Sequence, residues 1–373
     1  MKSLSSSNCA SAGALARRRL GRRRSSSAMP AVPLQLGFLP LTDAAPLIVA
    51  QEHGLFARHG LAVELRREVG WATIREKLVY GELDAAAAPA PMLWSLQLGL
   101  GCAPCDVLTA LVLNLHGNAL TLSRALGNAG VRDGSGLCAW VRSRGRGPAT
   151  LGIVFPFSSH HLLVRAWLPA AGAGAERDVR MVVVPPAQMF RNLAAGTIDG
   201  YCVGEPWNTL ATRAGAGWCP VCSATQWPGH LEKVLVVTRR FAEERSDEHT
   251  ALVAALAEAC AWCDEPPHRA ALAPLLARPA SLDLPEAVIA PALLGRFECG
   301  AGQVETVPDF HVFHRGGANV PAVAKAAALQ ASLVAAGLLA PAVAGPGLPG
   351  RLFREDLYRA ALRRCGGPAP VVP

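Results

Sequence analysis

The 373-residue sequence predicts an α/β protein built from two similar lobes. Three observations carry that prediction. Gly152-Ile-Val-Phe-Pro156-Phe-Ser158-Ser159-His160-His161 joins a short apolar run to a proline, then to two serines and a periodic apolar stretch. It reads as a buried strand delivering a capped helix. Gly37-Phe-Leu-Pro40-Leu-Thr42-Asp43 repeats that order ahead of a helical run from Ala44. In both copies 44 positions separate the leading glycine from a Gly-x-(Leu/Ile)-Asp, which is Gly81-Glu-Leu-Asp84 in one and Gly196-Thr-Ile-Asp199 in the other. Strand, proline, cap and Gly-x-x-Asp recurring together mark an internal repeat.

Each element follows in order. Residues 1–30 are rich in serine and arginine, lack periodicity and read as a disordered basic leader. The first part of lobe 1 spans 31–120: strand Leu34–Leu39, a helix from Ala44 to His59 closed by Gly60, strand Leu61–Glu68 and a helix opened by Gly70-Trp71 and running to Tyr80. A small-residue strand Asp84–Ala90, a helix Pro91–Leu100 and an apolar strand Val107–Leu115 complete it. Lobe 2 spans 121–232. After a weakly patterned, loop-like stretch Ser123–Pro148, strand 151–155, helix 160–170, strand 179–184, helix 187–195 and strand 198–203 restate the plan of lobe 1. The charged turn His230-Leu-Glu232-Lys233 then enters an apolar strand, the return crossover to lobe 1. Residues 233–373 hold that return and a C-terminal helical region, with helix 248–263 ended by Pro266-Pro267, helices near 285–296, 322–337 and 354–363, and a Gly/Pro linker at Pro341–Pro349.

Hydrophobic content of 51% and charge of 17% are globular values. The formal net charge of +8 rests on Lys2, Arg17, Arg18, Arg19, Arg22, Arg23 and Arg24, with no acid in residues 1–28, so nothing assigns nucleic-acid binding to the body. No apolar h-region follows those arginines and no stretch approaches the ~20 apolar residues of a membrane span. The expectation is a cytoplasmic protein, with Met29 a candidate true start. Eleven cysteines include three C-x-x-C pairs, Cys102/Cys105, Cys219/Cys222 and Cys260/Cys263. The last pair falls on a helix face and the others flank prolines, so reduced thiols are expected rather than a metal site, and no cofactor is assigned.

A capped helix N-terminus presents free backbone N–H groups to which a small anion can bind, and His160 lies there. Trp71 at its helix start and Lys233 in its turn would otherwise read as a core indole and a solvated lysine.

A family resemblance enters on these motifs. Gly37-Phe-Leu-Pro-Leu-Thr-Asp-Ala-Ala-Pro46, Trp71-Ala-Thr-Ile-Arg75, Gly81-Glu-Leu-Asp84, Leu115-His-Gly-Asn118, Phe155-Pro-Phe-Ser-Ser-His160, Gly204-Glu-Pro-Trp-Asn208, Glu232-Lys-Val234, Phe313-His-Arg-Gly316 and Phe353-Arg-Glu-Asp-Leu-Tyr-Arg359 resemble the nitrate- and bicarbonate-binding proteins of ABC importers (NrtA and CmpA type). They look still more like the cytoplasmic nitrate/nitrite sensor of that family, NasS. The likeness runs from about residue 33 to 370. It implies a two-lobed, periplasmic-binding-protein-like fold of type II that closes about a hinge on a small oxyanion, and no enzymatic activity. It places Trp71, His160 and Lys233 around the anion, with Glu205 in the matching Gly-Glu-Pro-Trp-Asn motif. An acid there would repel an anion unless paired or protonated, so Glu205 reads as a positioning or hinge residue. An indole suits the flat nitrate, while ammonium and imidazole supply charge-assisted hydrogen bonds.

The sequence departs from the family where Phe-Pro-Trp-Arg/Lys-Ser is replaced by Val320-Pro321-Ala322-Val323-Ala324, displacing the nearest charge to Lys325. Ala85–Pro89 carries no polar side chain toward the pocket. Nitrate, nitrite and other small anions therefore stay open as ligands. The resemblance implies, first, a cytoplasmic sensor that controls a response-regulator-like antiterminator partner for nitrate assimilation. The alternative is the solute-binding component of a nitrate/bicarbonate ABC transporter, periplasmic and docking on a permease. An enzyme on this fold, such as a thiamin-pyrimidine synthase, would carry a cysteine-rich iron motif, and Cys202 has no adjacent histidine to activate it.

Overall fold

The run Ala85-Ala-Ala-Ala-Pro89 becomes the centre of a sheet covered on both faces. The computed structural model describes residues 32–145, 147–169 and 175–364. The basic leader read from the sequence lies outside them. The first sheet contains β1 (Leu34–Phe38), β2 (Val63–Arg67), β3 (Ala85–Pro89), β4 (Val107–Val112) and, from far along the chain, Lys233–Thr238, here β10. Its order is β2-β1-β3-β10-β4, with β1 parallel to β2 and β3, and β10 antiparallel to both its neighbours. Ala85 and Ala87 face one apolar cluster with Leu34, Leu36 and Leu235; Ala86 and Ala88 face another with Val234 and Val236. Small side chains fit because helices press on both faces of the central strand.

The second sheet contains β5 (Asn118–Ser123), β6 (Ala149–Ile153), β7 (Val179–Val183), β8 (Gly200–Gly204) and β9 (Gly217–Cys222), in the order β9-β5-β8-β6-β7. The two sheets have the same plan. Each has three parallel strands, then one antiparallel strand contributed by the crossover from the other lobe, then an edge strand. The repeated Gly-x-x-Asp has one physical role in both. Gly81 and Gly196 take φ of +73° and +71° after a helix, which suits glycine. Asp84 Oδ2 then accepts the Gln35 amide at 2.9 Å, and Asp199 Oδ2 accepts the Thr150 amide at 2.7 Å. In each lobe the aspartate ties the third strand to the start of the first.

The crossovers run side by side. Leu113 N–H donates to the Lys233 carbonyl at 2.8 Å, Glu232 N–H to the Asn114 carbonyl at 3.2 Å and Gly229 N–H to His116 Nε2 at 2.7 Å. This two-strand hinge sits beneath the cleft. The lobes are shut on one another: Leu39, Leu41, Trp71 and Ile74 of the first share one apolar cluster with Val154, Phe155, Phe157 and Val203 of the second. Arg75 reaches across, its guanidinium carbon 5.5 Å from the Phe155 ring centre.

Several sequence-predicted elements differ. The helix expected over Ala44–His59 is two, Ala45–Glu52 and Leu55–Arg58, broken where Gly54 takes φ +66°. The loop-like Ser123–Pro148 holds helices Arg124–Asn128 and Gly134–Arg144, whose caps, Ser123 accepting from Leu126 and Asp133 from Gly136, replace the missing periodicity. Pro266-Pro267 ends one helix but also opens the next, Pro266–Ala277, as proline does at a first turn. The helix expected near 285–296 stops at Leu293, and a hairpin, Arg296–Gly300 with Gln303–Thr306, follows it. Pro341–Pro349 contains a turn of 3-10 helix at Pro341–Val343 and the start of helix Leu348–Leu352.

Candidate functional site

Lys233 is one of only four lysines in the chain and the first residue of β10, with 0% of its surface exposed. A buried ammonium needs a counter-charge. It has two: Nζ donates to Asp43 Oδ2 at 2.7 Å and to Glu232 Oε1. The Nζ also lies 5.1 Å from the centre of the Trp71 ring. Glu232 is the most supported acid of the group. Besides Lys233 it accepts from Asn118 Nδ2 at 2.7 Å and from Ser159 Oγ. His160 Nε2 stands 3.9 Å from Glu232 Oε1, and His230 Nε2 3.7 Å from Oε2.

The internal repeat places these groups. Thr42-Asp43 and Ser158-Ser159 occupy the same position, after the first strand of their lobes, and reach the Glu232-Lys233 pair from opposite sides. In lobe 2, Ser158 caps its helix as its sequence predicts, its Oγ accepting from the His161 amide at 3.2 Å. In lobe 1 the predicted cap is not made. Thr42 Oγ1 donates instead to the Glu205 carbonyl at 3.2 Å and lies 2.8 Å from His311 Nε2, which frees Asp43 for Lys233.

Trp71, His160 and Lys233 thus meet at one point, the first from lobe 1, the second from lobe 2 and the third from the hinge. Lys233 is not the solvated lysine its turn would suggest, since two carboxylates already hold it. Glu205 differs too. Its carbonyl joins the lobes by accepting the Thr42 amide at 2.8 Å, but its carboxylate turns toward helix Trp207–Arg213, where Oε2 accepts the Thr209 amide at 3.1 Å. Its contact between the lobes is made by its backbone carbonyl, not its carboxyl. Asp43, Glu232, Ser159 and Asn118 were not singled out from sequence. The repeat was the available signal for Asp43 and Ser159, and a buried lysine's need for counter-charge was the signal for Glu232.

Electrostatics follow from burial. Burial alone would lower the Lys233 pKa, but the Asp43 and Glu232 carboxylates outweigh it and raise it. Burial opposes ionisation of Glu232 as well, yet the Lys233 charge holds it well below the usual carboxylate range. Asp43 goes the other way: burial raises it, Lys233 only partly compensates, and Glu232 raises it further. Burial pushes the His160 imidazole down to about 3, so it is neutral, and lifts the Glu205 carboxyl to about 7. Among the described residues, Trp71 Nε1, both ring nitrogens of His160 and Asn118 Oδ1 have no hydrogen-bond partner although buried. Buried polar atoms left unpaired at a cleft are where a ligand's oxygens or N–H groups would be met.

A cavity of about 140 Å³ adjoins the cluster, with Ser159 and His230 on the near side and Lys325 on the far side. Lys325 Nζ donates to the Gly317 carbonyl at 3.1 Å, and burial lowers its pKa. Among the described residues no group of His, Cys, Asp and Glu is disposed to hold a metal ion. Among them too, no helix is long and apolar enough to cross a membrane.

The model of the NMT1-like family matches residues 27–277, more than half of the chain. The chain belongs to that family. This NMT1-like protein is 36% identical, over 90% of its own length, to the nitrate import ATP-binding protein NrtC of Synechocystis sp. PCC 6803, and it spans about half of that relative, 51%. None of its four lysines follows a glycine, so the phosphate-cradling Gly-x-x-x-x-Gly-Lys-Ser/Thr loop is not part of the shared portion. It is 27% identical to the bicarbonate-binding protein CmpA of Synechococcus sp. PCC 6301, over 91% of this chain and 80% of that one. Its structure superposes on the crystal structure of the periplasmic nitrate-binding protein NrtA from Synechocystis PCC 6803 with a TM-score of 0.87 at 27% identity, covering 91% of each chain. The NrtA/CmpA resemblance and the two-lobed binding-protein fold are therefore those of the relatives. The relatives named here are proteins of binding and import.

Proposed function

We propose that this NMT1-like protein binds a small planar oxyanion, nitrate or nitrite, in the cleft between its lobes. The observation that supports it most is the convergence of Trp71, His160 and Lys233 from lobe 1, lobe 2 and the hinge, with the indole and imidazole N–H groups unpaired. An indole plane, an imidazole and an ammonium meet the needs of a flat, weakly hydrated monoanion. The shut lobes exclude water, which strengthens each contact. Calorimetric titration with nitrate, nitrite, bicarbonate and sulfate tests the reading. Saturable heat with nitrate or nitrite supports it, and heat with bicarbonate alone shifts the ligand to the one named for CmpA. Silence toward all four ends it.

Closure about the hinge on the anion then reports occupancy to a partner. In our reading the chain is a cytoplasmic nitrate/nitrite sensor that releases or holds a response-regulator-like antiterminator. The names of the relatives favour a second role, the solute-binding component of an ABC importer. Cell fractionation with mapping of the native N-terminus separates the two: an exported, processed chain supports the importer. A cytoplasmic chain whose antiterminator partner dissociates in millimolar nitrate supports the sensor.

A further inference from the structure

The cleft holds more negative charge than positive before any anion arrives. Among the described residues Lys233 is the one ammonium at its centre, and it is shared by two carboxylates, Asp43 and Glu232. A bound monoanion would be a third negative group around a single cation, all out of water, where unbalanced charge is severely penalised. We propose that the anion enters the cleft together with a proton, and that Asp43 is the group that takes it. This deepens the oxyanion reading and rests on it.

Geometry selects Asp43. Glu232 is held as a carboxylate by three donors, Asn118 Nδ2, Ser159 Oγ and Lys233 Nζ. Lys233 Nζ at 2.7 Å is the one side-chain donor that reaches Asp43 among the described residues. Lys233 bonds Asp43 and the Glu232 charge raises it; His160 and His230 stand against Glu232, His311 against Thr42, and the Glu205 carbonyl accepts the Thr42 amide. Of these acids Glu205 is turned to its own helix, its Oε2 bonded to Thr209. Protonating Asp43 costs no hydrogen bond to Glu232, releases one Lys233 N–H toward the anion and leaves a carboxyl O–H to donate to it. Burial has already raised Asp43 above the usual range, whereas it pushes His160 down to about 3, away from protonation. The proton comes from solvent, forms the Asp43 O–H bond and leaves again with the anion.

The test is calorimetry of nitrate binding to the full chain in two buffers of different ionisation enthalpy, across neutral pH, for the wild type and Asp43→Asn. The wild type is expected to take up about one proton and to bind about tenfold more weakly per pH unit of increase where uptake is seen, the slope of one linked proton. Asp43→Asn, which mimics the protonated acid, should bind without uptake and with an affinity flat in pH. Thermal unfolding establishes that the variant is folded. If it is not, infrared difference spectra of the wild type decide instead: nitrate must bring up a carboxylic-acid carbonyl band. Wild-type binding with no proton uptake overturns the inference and leaves the oxyanion reading standing. Uptake that persists in folded Asp43→Asn, or no new carbonyl band, overturns Asp43 as the seat. Absence of binding by any of the four anions overturns both.

Discussion

Lys233→Met removes the ammonium at the centre of the cleft while keeping its volume. Asp43 then loses its side-chain partner and Glu232 one of three, and both stay buried. Breaking a buried ion pair by removing one partner costs about 3–5 kcal/mol, most of it the uncompensated charge left behind. That loss should itself depend on pH. Without Lys233, burial raises both carboxyls in the folded state above their unfolded values. The folded variant then binds protons that the unfolded chain does not, so its stability falls as pH rises through those raised values and recovers on acidification. Equilibrium unfolding in urea at about pH 5.5 and about pH 7.5 measures both, with a larger deficit from wild type at the higher pH. A deficit under about 1 kcal/mol, unchanged between the two, would mean that Lys233 does not lie between two buried acids, and the account of the site would fail.

Four further outcomes are expected. His160→Ala should weaken nitrate binding by at least ~1.5 kcal/mol, the range for a hydrogen bond to a charged group. It should hardly change the fold, since neither ring nitrogen bonds to a described protein group; unchanged affinity by calorimetry would remove His160 from the pocket. Glu205→Gln tests a carboxyl lifted to about 7. A raised carboxyl gives stability that is complete below its unfolded value and is lost as pH rises through about 7, so urea unfolding should show the variant gaining on wild type by about 3–4 kcal/mol between acid and alkaline pH. Gly200→Ala should destabilise by about 1–3 kcal/mol in the same assay, because a Cβ there would stand 2.8 Å from the Thr121 carbonyl oxygen and from Leu122 Cδ2. Among the described thiols, Cys102 and Cys105 should react first with a maleimide, as the two that are only partly buried. Peptide mapping that found Cys260 or Cys263 modified earlier would contradict their complete burial.

The two-lobed architecture was legible because its signals are local. Strand, proline, cap, helix and Gly-x-x-Asp lie within short stretches, and each does in lobe 1 and in lobe 2 what its residue type demands: Asp84 and Asp199 even accept equivalent first-strand amides. Local chemistry misled where two readings were equally good. Thr42-Asp43 and Ser158-Ser159 both look like helix caps, and only Ser158 is one. Gly54 looked tolerable inside a helix and breaks it.

By itself the order of amino acids settled the class of fold and its internal repeat, since backbone propensity and apolar periodicity act over a few residues. Tertiary structure alone decided what Lys233 meets. Its partner Asp43 stands 190 residues away, and Asn118 is 114 from Glu232. Those contacts form only when each lobe lends a strand to the other and the hinge draws both first-strand turns onto one charge. Burial then raises one acid, while Lys233 outweighs burial at the other and holds it low. No spacing along the chain encodes that difference, because it comes from which donors surround each carboxylate once water has gone.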